Sequence, residues 1–220
     1  MGYGIKIRVR GDYALFTRPE MKVERVSYDI ITPSAARGII EAVYWKPAIR
    51  WRIDKIHVLN EIEFTSIRRN EVGEVISENK IRQVMNGAKK TLYLAATEYR
   101  QQRASLVLKN VDYVIEAHFK PVKEEWGERD TEEGHYNIVL RRLRKGQHFS
   151  APCLGTREFG AKVELIEDGV IPKSPLGNRD LGWMLYDMDF SDSKNIKPQF
   201  FKAMLNDGVL DLTNVSEVKQ

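Results

Sequence analysis

Two side chains of this 220-residue chain are placed to move protons. Tyr44 closes an apolar pattern of helical period, and His135 opens another. Histidine is the side chain whose unperturbed pKa lies near neutrality. A histidine and a tyrosine together can take the proton from a ribose 2′-OH and return one to the leaving 5′-oxygen. That chemistry breaks a phosphodiester without metal and leaves a 2′,3′-cyclic phosphate. Spacing alone leaves a plainer alternative open, in which Tyr44 only ends a buried stripe and His135 is a solvated first-turn residue. Two basic groups accompany the pair. Arg141-Arg142-Leu143-Arg144-Lys145 stands at the C-terminal end of the second pattern and runs into Gly146-Gln147-His148. Cations suit a helix C-terminus, and equally a phosphate backbone. The other group is Arg68-Arg69 with Arg100-Gln101-Gln102-Arg103, whose paired donors and acceptors suit base edges in a stem or simply a solvated surface.

Other chemistries are poorly provided for. The four histidines, His57, His118, His135 and His148, show no HxxxH or HExxH spacing, and a single cysteine, Cys153, builds neither a metal cluster nor an internal disulfide. There is no phosphate-binding GxxxxGK[ST] loop and no GxSxG elbow. No metal and no cofactor are therefore expected. Mean hydropathy is −0.43, and no apolar run approaches the roughly 18 residues that cross a bilayer. The first residues, Met1-Gly2-Tyr3-Gly4-Ile5-Lys6, lack the apolar stretch of a signal peptide. A cytoplasmic protein without membrane contact is the expectation. Net charge is +4, a mild excess whose meaning depends on where the cations cluster.

Several elements must carry these residues. Ile5–Arg10 alternates apolar and basic residues, the period of a half-buried strand. Thr32-Pro33 starts a helix, with Thr32 as N-cap and Pro33 in the first turn. Ala36, Ile39, Ile40 and Val43 recur at helical spacing, and Pro47 ends the helix with Tyr44, Trp45 and Lys46 in its last turn. Ile49–Leu59 alternates as a long strand, 62–67 reads as a strand, 74–86 as a helix and 91–95 as a short strand. Tyr113–Phe119 is a further strand, and the acidic run from Glu124 to Glu133 is a surface loop. Thr131 caps a helix whose first turn holds Glu132 and Glu133, whose buried stripe is Tyr136, Val139, Leu140 and Leu143, and which Gly146 ends. Phe149–Val163 reads as a strand pair, 183–186 as a strand and Gln199–Leu205 as a short helix, with turns at Pro172–Asn178 and Asn206-Asp207-Gly208. Strand, helix, two strands, an insert, then strand, helix, strand predicts an α+β fold. We expect an RRM-like or ferredoxin-like domain over 1–165 and a smaller β-rich region over 166–220.

With these segments in view, the chain resembles the d-type of the "Cas-five" CRISPR-associated proteins, the repeat-processing endoribonuclease of the type I-C Cascade. The matching stretches are Gly11–Thr17, Tyr44-Trp45-Lys46-Pro47, Ser66–Val72, Arg100–Ser105, Ala117-His118-Phe119, Gly134-His135-Tyr136 through Arg141-Arg142, Lys145-Gly146-Gln147 and Leu154–Phe159. They span about residues 8–160 in order, whereas the tail beyond about 165 matches weakly. The resemblance implies an RRM-like N-terminal domain followed by a β-rich part. It implies metal-free cleavage of the CRISPR repeat at the base of its stem-loop, after which the protein stays on the crRNA handle within the interference complex. Its site would use Tyr44 from the YWKP segment and the histidine of a Gly-Lys-His-Tyr segment, His135 here.

One departure stands out. Where the family pattern has lysine, this chain has Gly134, in Glu133-Gly134-His135-Tyr136. Charge held beside the phosphate in the transition state is often a large catalytic contribution, and Lys46, Arg103 or Arg142 are the candidate replacements. The expectation is thus an endoribonuclease with catalytic Tyr44 and His135. Lys46, Arg68, Arg69, Arg100, Arg103, Arg141, Arg142 and Lys145 are its candidate RNA contacts. Expected partners are repeat RNA, the other type I-C Cascade subunits and, as a further candidate, double-stranded DNA. The alternative is a non-catalytic scaffold that holds the crRNA handle.

Overall fold

Apolar residues on alternate positions decide the centre of this fold. A computed structural model describes residues 3–21, 23–167, 169–192 and 194–215, with the backbone of 218–219. Its elements are β1 (Gly4–Ala14), β2 (Arg25–Val26), α1 (Pro33–Val43), β3 (Ile49–Val58), β4 (Glu63–Val72), α2 (Glu78–Met85), β5 (Arg100–Pro121), α3 (Glu132–Arg144), β6 (Lys162–Leu165), β7 (Arg179–Asp189), β8 (Lys197–Asn206), β9 (Val209–Asp211) and β10 (Val218–Lys219). A 3-10 turn lies at Lys123–Glu125. The fold class is α+β, with a largely antiparallel sheet ordered β10-β8-β9-β3-β5-β1-β6. Among the described residues, no helix is long and apolar enough to cross a membrane.

Register puts the apolar set on one face. Ile5, Ile7 and Val9 of β1 stand opposite Ala117, Ile115 and Tyr113 of β5, and all six are buried. Trp51 faces Phe119 across β3 and β5, and an irregularity between Ile53 and Lys55 keeps Ile56 opposite Ile115 on the same face. Both α1 and α3 cover this face: α1 buries Ala36, Ile39, Ile40 and Val43, and α3 buries His135, Val139 and Leu143. The basic residues of β1, Lys6, Arg8 and Arg10, point the other way and face Glu116, Val114 and Asp112.

The helix starts are as the sequence indicates. Thr32 Oγ1 accepts from the Ala35 amide, and Thr131 Oγ1 from the Gly134 amide. The end of α1 is not. The helix stops at Val43, and Tyr44 is extended at φ −152° and ψ 118°, so Tyr44, Trp45 and Lys46 do not form its last turn. Pro47 disfavours helical geometry upstream, and the extended turn separates the buried Tyr44 from the exposed Trp45.

Four other expectations change. The strand read at 113–119 is the end of a 22-residue strand, β5, whose first half pairs with β4 from Glu63–Lys109 to Val72–Arg100. Arg68, Arg69, Arg100 and Arg103 therefore sit in a two-stranded ribbon. Residues 91–95 form no strand, because no neighbouring strand reaches them. The pair expected over 149–163 reduces to a bridge between Cys153 and Gly160 and β6. The chain there docks on β1 instead, with Gly155 at φ +88° so close that a Cβ would lie 2.0 Å from the Leu15 oxygen. Finally, Gln199–Leu205 is strand, not helix. Phe201, Ala203 and Leu205 are buried at every second position, a period that only a strand satisfies, and β7 pairs along it. Through β9 this C-terminal hairpin joins the edge of β3.

Candidate active site

The covered face of the sheet brings Tyr44 and His135 together, 91 residues apart in sequence, with the Tyr44 hydroxyl 2.7 Å from His135 Nδ1. Tyr44 leaves α1 in extended backbone, and its carbonyl is fixed by the Trp51 indole at 3.0 Å. His135 sits in the first turn of α3 because Thr131 caps that helix. Both are buried, with 2% and 3% of their surface exposed, so His135 is not a solvated first-turn residue. Phe119 and Trp126 pack around the imidazole, with ring centroids at 6.4 Å each. Trp126 is itself pinned by its indole N–H to the Ala48 carbonyl, at 3.0 Å.

One nitrogen of this pair is incompletely satisfied. His135 Nε2 is buried with no hydrogen-bond partner among the described residues. It lies 3.5 Å from Asp130 Oδ1, close to a carboxylate but without hydrogen-bond alignment. A polar atom buried in this state is costly. In the tautomer with its proton on Nε2, toward the Asp130 carboxylate, Nδ1 is the acceptor of the Tyr44 O–H. Burial pushes the Tyr44 phenol above its usual pKa, with Arg142 opposing and Asp130 adding to the rise. Arg142 donates to the Val43 carbonyl at 2.7 Å and lies 5.1 Å from the centre of the Tyr44 ring. Of the three candidate replacement cations, Arg142 is therefore the one that touches the pair.

The remaining basic residues divide by what already binds them. Lys46, Arg68, Arg100, Arg141 and Lys145 are exposed, and none of them forms an ion pair among the described residues. Arg68 and Arg100 share the open face of the ribbon. Arg69 and Arg103 share the opposite face. Arg69 pairs with Glu158, donates to Ser105 Oγ at 3.2 Å and lies 5.9 Å from the Phe159 ring centre. Arg103 lies 3.9 Å from Glu71 and donates to Gln101 at 3.1 Å. Gly134 occupies the third position of α3, where a Cβ would stand 2.9 Å from Thr131 Oγ1. A lysine there would press on the atom that caps the helix.

Asp130 and Trp126 escaped sequence reasoning. Both lie in an acidic, aperiodic stretch that reads as a surface loop, and only its fold across the end of α3 brings them to His135. No cluster of His, Cys, Asp or Glu suited to a metal ion occurs among the described residues.

The chain is similar to known proteins. The family described as CRISPR-associated protein (Cas5), in its Cas5d form, matches residues 4–213. The CRISPR pre-crRNA endoribonuclease Cas5d of Mannheimia succiniciproducens is 51% identical over 218 residues, which is 96% of each chain. The protein of the same name from Thermus thermophilus is 42% identical over 200 residues, 90% of this chain and 79% of that one. A crystal structure of a CRISPR-associated protein has the same fold at TM-score 0.68 and 24% identity, covering 99% of this chain and 96% of its own.

Proposed function

This chain belongs to the CRISPR-associated Cas5 family, in its Cas5d form, and from that premise we infer a pre-crRNA endoribonuclease that cuts CRISPR repeat RNA with Tyr44 and His135. The observation that carries the assignment of residues is the 2.7 Å approach of Tyr44 Oη to His135 Nδ1, beside a cation and a carboxylate. In this reading one of the two removes the 2′-OH proton and the other protonates the departing 5′-oxygen. Both transfers are made by side chains, so the reaction needs no metal. Asp130 holds the imidazole tautomer, and Arg142 supplies the positive charge that the missing lysine at position 134 does not.

The pair is closed off at rest, so RNA must first open it. Trp126, on the segment between β5 and α3, packs against the imidazole with ring centroids 6.4 Å apart, and in this reading its displacement by the docking stem uncovers Nε2. Support for an RRM-like domain over 1–165 comes from the strand order β6-β1-β5-β3. With α1 and α3 as the two crossovers, that is the order of a split β-α-β unit. Residues 166–220 then form the smaller β-rich part. Lys46, Arg68, Arg100, Arg141 and Lys145 are free to meet the stem and its phosphates. We further propose that the product stays bound as the crRNA handle, with the protein serving as a subunit of a type I-C Cascade.

Incubation of the protein with its cognate repeat hairpin in EDTA tests this. One defined cut bearing a 2′,3′-cyclic phosphate is expected. Cleavage that needs an added divalent ion overturns the acid–base mechanism. Tight binding without a cut under single-turnover conditions makes the chain a scaffold.

A further inference from the structure

A cleft of about 550 Å3 opens between α1, the edge of β3 and the end of β7. It has room for a nucleotide, falling within the roughly 300–1,000 Å3 of small-ligand clefts. Two aromatic rings are presented there with much of their surface open: Trp45 is 56% exposed and Phe190 is 64% exposed. The cleft wraps the edge of β3, which β9 pairs only from Lys55 to His57. Trp45 comes from the helix side, and Arg50 and Arg52 from the other pleat of the strand.

The charges in this cleft are unequally matched. Its acidic groups are already engaged: Arg37 donates to Asp187 at 2.8 Å and lies 3.4 Å from Glu41, and Asp189 accepts from the Ser191 amide at 2.9 Å. Arg50 lies near enough to Glu41 to favour its carboxylate, but neither Arg50 nor Arg52 makes an ion pair among the described residues. Arg50 also stands directly opposite the exposed Lys120, and Arg52 opposite His118. Two fixed cations facing across a strand pair, as Arg50 and Lys120 do, are destabilising, a cost that a bound anion removes.

We propose that this cleft binds the single-stranded RNA that flanks the repeat stem, stacking bases on Trp45 and Phe190 and holding phosphates at Arg50 and Arg52. Every base offers a flat face to an aromatic ring, whereas bases inside a duplex are already stacked. The combination of two open rings with unmatched arginines therefore selects unpaired nucleotides. The cleft also adjoins the catalytic pair. Trp51 lines it and donates to the Tyr44 carbonyl, and Trp45 follows Tyr44 in the chain. A strand leaving the base of the stem at Tyr44 enters the cleft directly.

The inference rests on the endoribonuclease reading, and two measurements separate their failures. The first is the affinity of a labelled single-stranded oligoribonucleotide of flank sequence, by fluorescence anisotropy across a salt series. Trp45→Ala with Phe190→Ala should weaken it by roughly tenfold per ring. Arg50→Ala with Arg52→Ala should lower the salt slope by about 1.4, at about 0.7 per phosphate on a single strand. The second is cleavage of hairpins with and without flanks. Wild type should favour the flanked hairpin, and the Trp45/Phe190 variant should lose that preference. Exposed rings leave folding intact, which a thermal melt verifies. If the ring variant binds the oligonucleotide as wild type does, the cleft is not an RNA site. The same holds if its only defect is failure to assemble with partner subunits, which makes the cleft a protein interface. If wild type cuts neither hairpin, the endoribonuclease reading falls, and the oligonucleotide titration alone decides the cleft.

Discussion

The two faces of the central sheet treat their histidines in opposite ways. On the open face, His57 Nε2 lies 2.7 Å from Glu116 and His118 Nδ1 lies 2.9 Å from Asp54. The cations beside them are matched as well, Arg8 with Asp112 and Arg10 with Glu164, each at 2.6 Å. On the covered face, His135 has a neutral phenol on one nitrogen and no hydrogen bond among the described residues on the other. Groups near the helices are pushed toward their neutral forms, as burial raises the pKa of both Tyr44 and Glu41. Carboxylates on the open face are pulled toward ionisation, as for Glu164 beside Lys162 and Arg10. His57 and His118 each hold a carboxylate on one ring nitrogen, an arrangement that suits a structural part. A histidine held in a protein interior with a bond unmade, and a titratable partner within reach, is the arrangement on which the proposed chemistry rests.

The comparison is broken most sharply by exchanging the roles. His135→Ala is expected to slow repeat cleavage by roughly a hundredfold or more, while RNA affinity changes little. His118→Ala should leave the cut in place and lower only thermal stability. Single-turnover rates for the two variants decide between the faces, and a cleavage loss at His118 matching that at His135 would place the chemistry on the wrong side of the sheet.

A smaller effect is expected at Asp130. If its carboxylate sets the tautomer of His135, Asp130→Asn should lower the cleavage rate by about tenfold or more and shift the pH–rate profile. RNA binding should stay at the wild-type level. A rate drop with an unmoved profile would reduce Asp130 to a helix-capping neighbour.

Next in size is the salt dependence of binding. Arg141 and Lys145 on the helix side form no ion pairs among the described residues, whereas Arg8 on the open face is matched. Arg141→Ala with Lys145→Ala should lower the slope of log affinity against log salt by roughly 0.7–0.9 for each phosphate left without its cation. Arg8→Ala should leave the slope alone and destabilise the protein by about 1–3 kcal/mol, because Asp112 is then buried without its partner. Equal slopes in the two variants would show that the Arg141 cluster only caps its own helix.

The smallest expected effect is a pH dependence of stability. The Lys162 hydrogen bond and the Arg10 charge hold Glu164 below its ordinary value of 4.5. A carboxylate lowered in the folded state contributes its full stabilisation above that ordinary value and loses it as pH falls toward the folded value. Melting temperature should therefore decline in this acid range, and Glu164→Gln should make the decline shallower. An unchanged acid limb would mean that the exposed pair contributes nothing measurable.

Residues in regular elements were legible from the chain alone, because burial imposes a period on them. The alternation of β1 and β3, the stripes of α1 and α3 and the Thr32 and Thr131 caps follow from the positions of apolar and capping residues. The α+β class follows in turn, and with the quoted motifs so did the family and the two candidate site residues, Tyr44 and His135. Local pattern failed where partners are distant. Gln199–Leu205 became strand because β7 pairs with it, and the pair expected over 149–163 was largely lost because Leu154 and Gly155 are held against Leu15, just past the end of β1. Nothing in the sequence said that the Tyr44 hydroxyl meets Nδ1 rather than Nε2, that Asp130 faces the remaining nitrogen, or that Arg69 is tied to Glu158 while Arg68 is left open. Those facts depend on angles and distances between elements far apart in the chain. A hydrogen bond is decided within a few tenths of an ångström, a precision that only the packed sheet and helices supply.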